Sequence, residues 1–113
     1  MDEEFEKMKK KSKLTKDELK IFLEKVESVD KKVDHSNAMR CMSNETRREF
    51  LNFIGYDVKS MDELKKKFEM EVDQIKYHLS MLEHSLYVME SQEGWKATPR
   101  GIGFMENTIL EDS

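Results

Sequence analysis

Gln74, Lys76, Tyr77 and Ser80 fall on the polar side of a stripe whose apolar members, Val72, Ile75, Leu79 and Leu82, recur at spacings of three and four. These four side chains suit the recognition of a nucleic-acid duplex by an exposed helix. A glutamine amide pairs bidentately with adenine, a lysine reaches guanine or phosphate, and tyrosine and serine hydroxyls bond phosphate oxygens. An ordinary solvated helix face is the competing explanation. Glu71 and Asp73 suit the positive end of a helix dipole, but they oppose the approach of phosphates.

Other chemistry finds less support. His78 and His84 are six residues apart, about 240° around a helix, so they cannot chelate a metal from one face. The single cysteine, Cys41, can form neither an internal disulfide nor a cysteine-based metal site by itself. It is read as a small buried side chain, with a redox switch as the alternative. Asp62 and Glu63 are adjacent and therefore point to different faces, and no glycine-rich phosphate loop, His-Glu metal motif or nucleophile with an evident base is present. We expect no enzyme, no cofactor and no metal.

The elements that would position the polar face can be read from caps and periodicity. Residues 1–13 are charged and unpatterned, and they are expected to be a mobile segment or to fray from a helix. Thr15 with Glu18 forms a capping box, and Leu19, Phe22, Leu23, Val26, Val29 and Val33 continue one stripe, predicting an N-terminal helix over 14–33. A second helix follows Ser43 or Asn44 as cap, buries Phe50, Leu51, Phe53 and Ile54, and stops at Gly55. Ser60 and Glu63 form a second capping box, opening a short helix through Met61, Leu64 and Phe68. After a break of a few residues in "FEMEVD" comes the helix carrying Gln74, which runs to about His84.

The period then changes. Tyr87–Glu90 and Trp95–Ala97 read as two strands around a turn at Gly94. Thr98 and Pro99 start a last helix over 99–110, with Ile102, Met105, Ile109 and Leu110 on its apolar face. Gly101 and Gly103 weaken its beginning. The expected fold class is thus mainly α with a small β-hairpin: one domain over 14–113 with a core at 38–98.

Length and charge agree with a small soluble domain. The chain has 113 residues, 37% hydrophobic and 39% charged, so a modest core carries a densely charged surface. No window approaches the roughly 18 consecutive apolar residues of a membrane span, and the N-terminus has no apolar core like that of a signal peptide. A cytoplasmic location is expected. The net charge is −4, with no strongly basic tail, which is an unhelpful balance for a phosphate binder.

The order of these elements, two short tandem helices followed by a hairpin and a last helix, resembles the ArsR-like winged helix-turn-helix transcriptional regulators over roughly residues 38–110. "MRCMSNETRREFLNFI" is similar to the family's helix with its small polar cap and Thr-Arg. "SMDELKKKFEMEVDQIKYHLSMLEHSLYV" is similar to its helix-turn-helix, and "GWKATPRG" to the second wing strand running into the last helix. The resemblance implies sequence-specific binding of double-stranded DNA, with Gln74, Lys76, Tyr77 and Ser80 on the recognition helix. Arg47, Arg48, Lys96 and Arg100 would touch the DNA backbone. The cysteine pair that metal sensors of this family carry on the helix-turn-helix is missing. A homodimer is expected, held by Leu19, Phe22, Val26, Ile102, Met105 and Ile109 across a two-fold axis. The alternative is a protein-interaction module whose acidic stretch 71–90, with Tyr87 and Trp95, meets a basic protein partner.

Overall fold

The computed structural model describes the backbone of residues 3–112 and the side chains of residues 3 and 6–107. The chain is mainly helical with a small three-stranded antiparallel sheet. Its elements in order are α1 (Glu3–Lys11), α2 (Lys16–Ser28), α3 (Lys31–Met42), α4 (Glu45–Ile54), β1 (Val58–Lys59), α5 (Met61–Phe68), α6 (Val72–His84), β2 (Val88–Ser91), β3 (Gly94–Ala97) and α7 (Pro99–Asp112). Among the described residues, no helix is long and apolar enough to cross a membrane.

Residues 3–11, read as mobile or fraying from a helix, form helix α1, which lies along α7. Its anchors reach across the chain: Met8 packs on the core, Lys11 pairs with Glu106 at 2.6 Å, and the Ser12 hydroxyl donates to the Ala97 carbonyl at 3.0 Å. The single helix predicted over 14–33 is two helices. Val29 is extended, and the Asp30 carboxylate accepts from the backbone amides of Lys32 and Val33. That new N-cap starts α3, because a short acid satisfying two orphan amides makes a restart cheaper than continuation.

Elsewhere local chemistry sets the boundaries. Both capping boxes form: Thr15 Oγ1 accepts from Glu18 N at 3.1 Å, and Ser60 Oγ accepts from Glu63 N at 3.2 Å. Asn44 caps α4 through Arg47 N at 3.0 Å, leaving Ser43 to the end of α3. Gly55 closes α4 with φ 54° and ψ −130°, a conformation that L side chains rarely adopt. Thr98 Oγ1 accepts from Gly101 N at 3.1 Å and its hydroxyl donates to the Leu86 carbonyl at 2.6 Å, so the start of α7 is tied to the end of α6.

The sheet holds one strand that periodicity does not predict. β1 is two residues long and pairs with β3 in the register Val58↔Lys96 and Lys59↔Trp95. β3 is therefore central, in the order β1-β3-β2. Gly94, at φ 141°, lets β3 lie against the backbone of Lys59, where a Cβ would overlap the carbonyl oxygen.

The core gathers Phe50, Leu51 and Ile54 of α4, Leu64 of α5, Ile75, Leu79 and Leu82 of α6, and Ile102 of α7, all fully buried. Burial of Ile75, Leu79 and Leu82 is worth roughly 1.5–3 kcal/mol each, against about 0–1 kcal/mol for an exposed ion pair. The apolar edge of α6 therefore decides which way its polar face points. Phe50 and Phe68, with ring centroids 4.4 Å apart, lock the end of α5 onto α4.

Candidate nucleic-acid interface

The apolar edge of α6 turns Asp73, Gln74, Lys76, Tyr77 and Ser80 to solvent. Asp73, Lys76, Tyr77 and Ser80 succeed one another at steps of three, one and three, so they form one stripe, with Gln74 beside it. Gln74, Lys76 and Ser80 make no side-chain hydrogen bond or ion pair among the described residues, which leaves their polar atoms available to a ligand. Tyr77 is 58% exposed although it is aromatic, and its ring meets His78 edge-on at 5.3 Å. Glu71 occupies the N-cap position of α6 without a side-chain cap hydrogen bond. The turn before it passes through Glu69 in the left-handed region, at φ 53° and ψ 43°.

The four cations expected at phosphates all have partners within the chain. Arg47 is buried; its Nε donates to the Cys41 carbonyl at 2.8 Å and its Nη1 to His78 Nδ1 at 3.4 Å. Arg48 Nη1 donates to the Met42 carbonyl at 2.7 Å. Both guanidinium groups thus cap the C-terminal carbonyls of α3, where cations also complement the helix dipole. Lys96 is buried and pairs with Glu18 of α2 at 2.9 Å. Arg100 grips Asp34 of α3 through two hydrogen bonds of 2.7 Å and also donates to the Ser85 carbonyl.

These pairings shift the partners' titration. The hydrogen bonds from Arg100 hold the Asp34 carboxyl below its ordinary value, and Asp34 in turn raises Arg100. Burial works to raise the Glu18 carboxyl, but hydrogen bonds from the Thr15 amide and Lys96 outweigh it and leave the carboxyl lowered. Desolvation lowers His78, and the Arg47 charge lowers it further. Since Arg47 can only donate, Nδ1 of His78 is the acceptor and the ring proton sits on Nε2. Cys41 is fully buried, and burial raises its thiol, so it is a packed side chain in an unreactive setting.

Sequence reasoning missed the lysines closest to the polar face along the chain. Lys65, Lys66 and Lys67 occupy the last turn of α5, are exposed, and immediately precede the turn into α6. Three consecutive lysines before a predicted turn were the available signal. Lys67 and Lys59 also approach the Phe53 ring, at 5.9 Å and 5.0 Å from its centroid. The hairpin tip offers no cation: Gln92 and Glu93 form the turn, and Glu90 is exposed.

The residues expected to hold a dimer are divided. Phe22, Ile102 and Met105 are buried within the chain itself, and Ile102 and Met105 belong to its hydrophobic core. Leu19 and Val26 of α2 are only half-buried, and the Ile109 side chain lies outside the described residues. Tyr87 and Trp95, expected to face a protein partner, are also buried, at 6% and 9% exposure. No protein-family model, curated protein or solved structure matches the chain.

Proposed function

We propose that this chain is a winged-helix, DNA-binding transcriptional regulator of ArsR-like type, acting as a homodimer in the cytoplasm by occupancy of its operator and without catalysis. The observation that carries the reading is the exposed, internally unpaired polar face of α6, backed by three fully buried aliphatic residues. A helix held this way presents Gln74, Lys76, Tyr77 and Ser80 as a rigid set to a major groove. The order of elements from α4 to α7, with a β1-β3-β2 sheet behind two tandem helices, fits a winged helix. Lys65, Lys66 and Lys67 replace the four engaged cations as the phosphate contacts, and the hairpin takes no part in them, because its acidic tip would repel a backbone.

The test is fluorescence anisotropy with duplex DNA at low and rising salt, followed by selection for enriched sequences. We expect salt-dependent binding, and an enriched palindrome whose half-sites reflect the two-fold axis. Lys76→Ala and Tyr77→Ala should weaken binding to the selected site. Each lysine removed from α5 should lower the slope of log affinity against log salt by about 0.9. Absence of salt-dependent binding by the folded protein at low micromolar concentration rejects the reading.

A second reading is favoured by one specific feature. Glu90 and Glu93 at the hairpin, with Glu71 and Asp73 at the start of α6, are exposed acids that suit a basic protein partner. Reversal of Glu90 and Glu93 to lysine separates the two: it should strengthen DNA binding under the first reading and abolish partner binding under the second.

A further inference from the structure

The outer face of α2 carries a charge pattern that its own chain does not use. Leu19 and Leu23, both half-buried, line a shallow surface groove together with Lys16, Lys20, Glu24 and Glu27. The four charged residues are exposed and make no ion pair among the described residues. They are sorted by sign along the helix, the lysines toward its N-terminus and the glutamates toward its C-terminus.

That sorting is unfavourable within α2. Lys16 near the positive end of the helix dipole and Glu27 near the negative end each oppose it. Lys16 with Lys20 at i,i+4, and Glu24 with Glu27 at i,i+3, add like-charge repulsion along the face, against one attractive step, Lys20 with Glu24 at i,i+4. The same pattern is self-complementary when a second α2 runs antiparallel. A two-fold axis near Ile21 and Phe22 places Lys16 opposite Glu27 of the second copy and Lys20 opposite Glu24 of the second copy, with the two Leu19–Leu23 pairs between them. A parallel arrangement would set lysine against lysine and glutamate against glutamate.

We infer that this face of α2 is an interface with a second copy of the chain, packed antiparallel with its own counterpart. The inference rests on the homodimer in the reading above and does not depend on DNA binding. It moves the contact away from the buried Phe22, Ile102 and Met105 and onto Leu19, Leu23 and their four charged neighbours.

The experiment uses two variants of the full chain, Lys16→Glu with Lys20→Glu, and Glu24→Lys with Glu27→Lys. All four positions are exposed, so both variants should keep the circular-dichroism spectrum of the parent. Mass is measured by light scattering and dissociation by analytical ultracentrifugation. We expect a dimeric parent, two variants that each dissociate about tenfold or more readily, and recovery of parental affinity in their equimolar mixture, where opposite charges face each other again. A monomeric parent overturns both the inference and the dimer. Two variants that dimerise like the parent overturn the inference and leave the dimer to another face. Dissociation without recovery on mixing also overturns it.

Discussion

Arg47 of α4 and His78 of α6 meet at 3.4 Å, Nη1 to Nδ1, while the same guanidinium holds the carbonyl of Cys41 at the end of α3. One buried cation therefore joins three helices, and it orients the imidazole next to the exposed Tyr77. Replacement by methionine keeps much of the volume and removes every donor, leaving the buried Cys41 carbonyl without its strongest partner. Arg47→Met should cost about 2 kcal/mol in urea unfolding. Arg47→Lys should recover little of it, because an ammonium lacks the planar fork. An unchanged urea midpoint would show the contacts to be dispensable.

His78 makes stability sensitive to mild acid. Burial and the Arg47 charge lower its pKa in the folded state below the ordinary value of 6.5, so the unfolded chain takes up the proton first as pH falls. The contribution is complete above 6.5, declines as pH drops toward the lowered folded value, and levels off below it. Its neighbours, Arg47, Tyr77 and Phe50, include no carboxylate that would reverse the sign. Unfolding free energies measured between about pH 7.5 and 5 should show this decline, and His78→Gln should flatten it.

Arg100 and Asp34 clip α7 to α3. Their side chains are 25% and 18% exposed, with both hydrogen bonds at 2.7 Å, which places the pair between surface and buried cases. Arg100→Gln or Asp34→Asn should each cost about 1–3 kcal/mol. The double variant should cost less than their sum. Because the folded Asp34 carboxyl is lowered, its share of stability is present above its ordinary value of 3.8 and is lost as pH falls through the lowered one. A double-mutant cycle with no coupling would refute the clip.

Two backbone positions should respond in opposite directions. Glu69 is exposed and left-handed at φ 53°, so Glu69→Gly should stabilise by about 0.5–1 kcal/mol, the relieved strain exceeding the added chain entropy. At Gly101 a Cβ would run into the Tyr87 carbonyl oxygen. Gly101→Ala should therefore destabilise by about 2 kcal/mol or more, despite the better helix propensity of alanine. Thermal melts of the two variants shifting in the same direction would contradict this account.

The glycines of α7 show why sequence alone misjudges such sites. Read locally, Gly101 and Gly103 weaken a helix. In the fold Gly101 admits the Tyr87 backbone, and Gly103 admits Met8 of α1, whose sulfur would lie 3.3 Å from an added Cβ. Their value lies in close approach between elements, which helix propensity does not measure.

What the sequence by itself determined is chemistry closed within a few residues. The boxes at Thr15 and Ser60, the cap at Asn44, the stop at Gly55, the hairpin around Gly94 and the outward face of α6 depend on neighbours at most one helical turn or one tight turn away. Only the tertiary structure decided the partners of long side chains and apolar stripes. Lysine and arginine types do not say whether a cation will meet Glu18, Asp34, a helix-end carbonyl or a phosphate. Nor does the apolar face of Phe22, Ile102 and Met105 say whether its mate lies in the same chain. Two-residue β1 is similarly invisible, since it exists only because β3 supplies its hydrogen bonds. These choices are made by surfaces brought together from distant parts of the chain, where burial and geometry select one of several chemically equivalent partners.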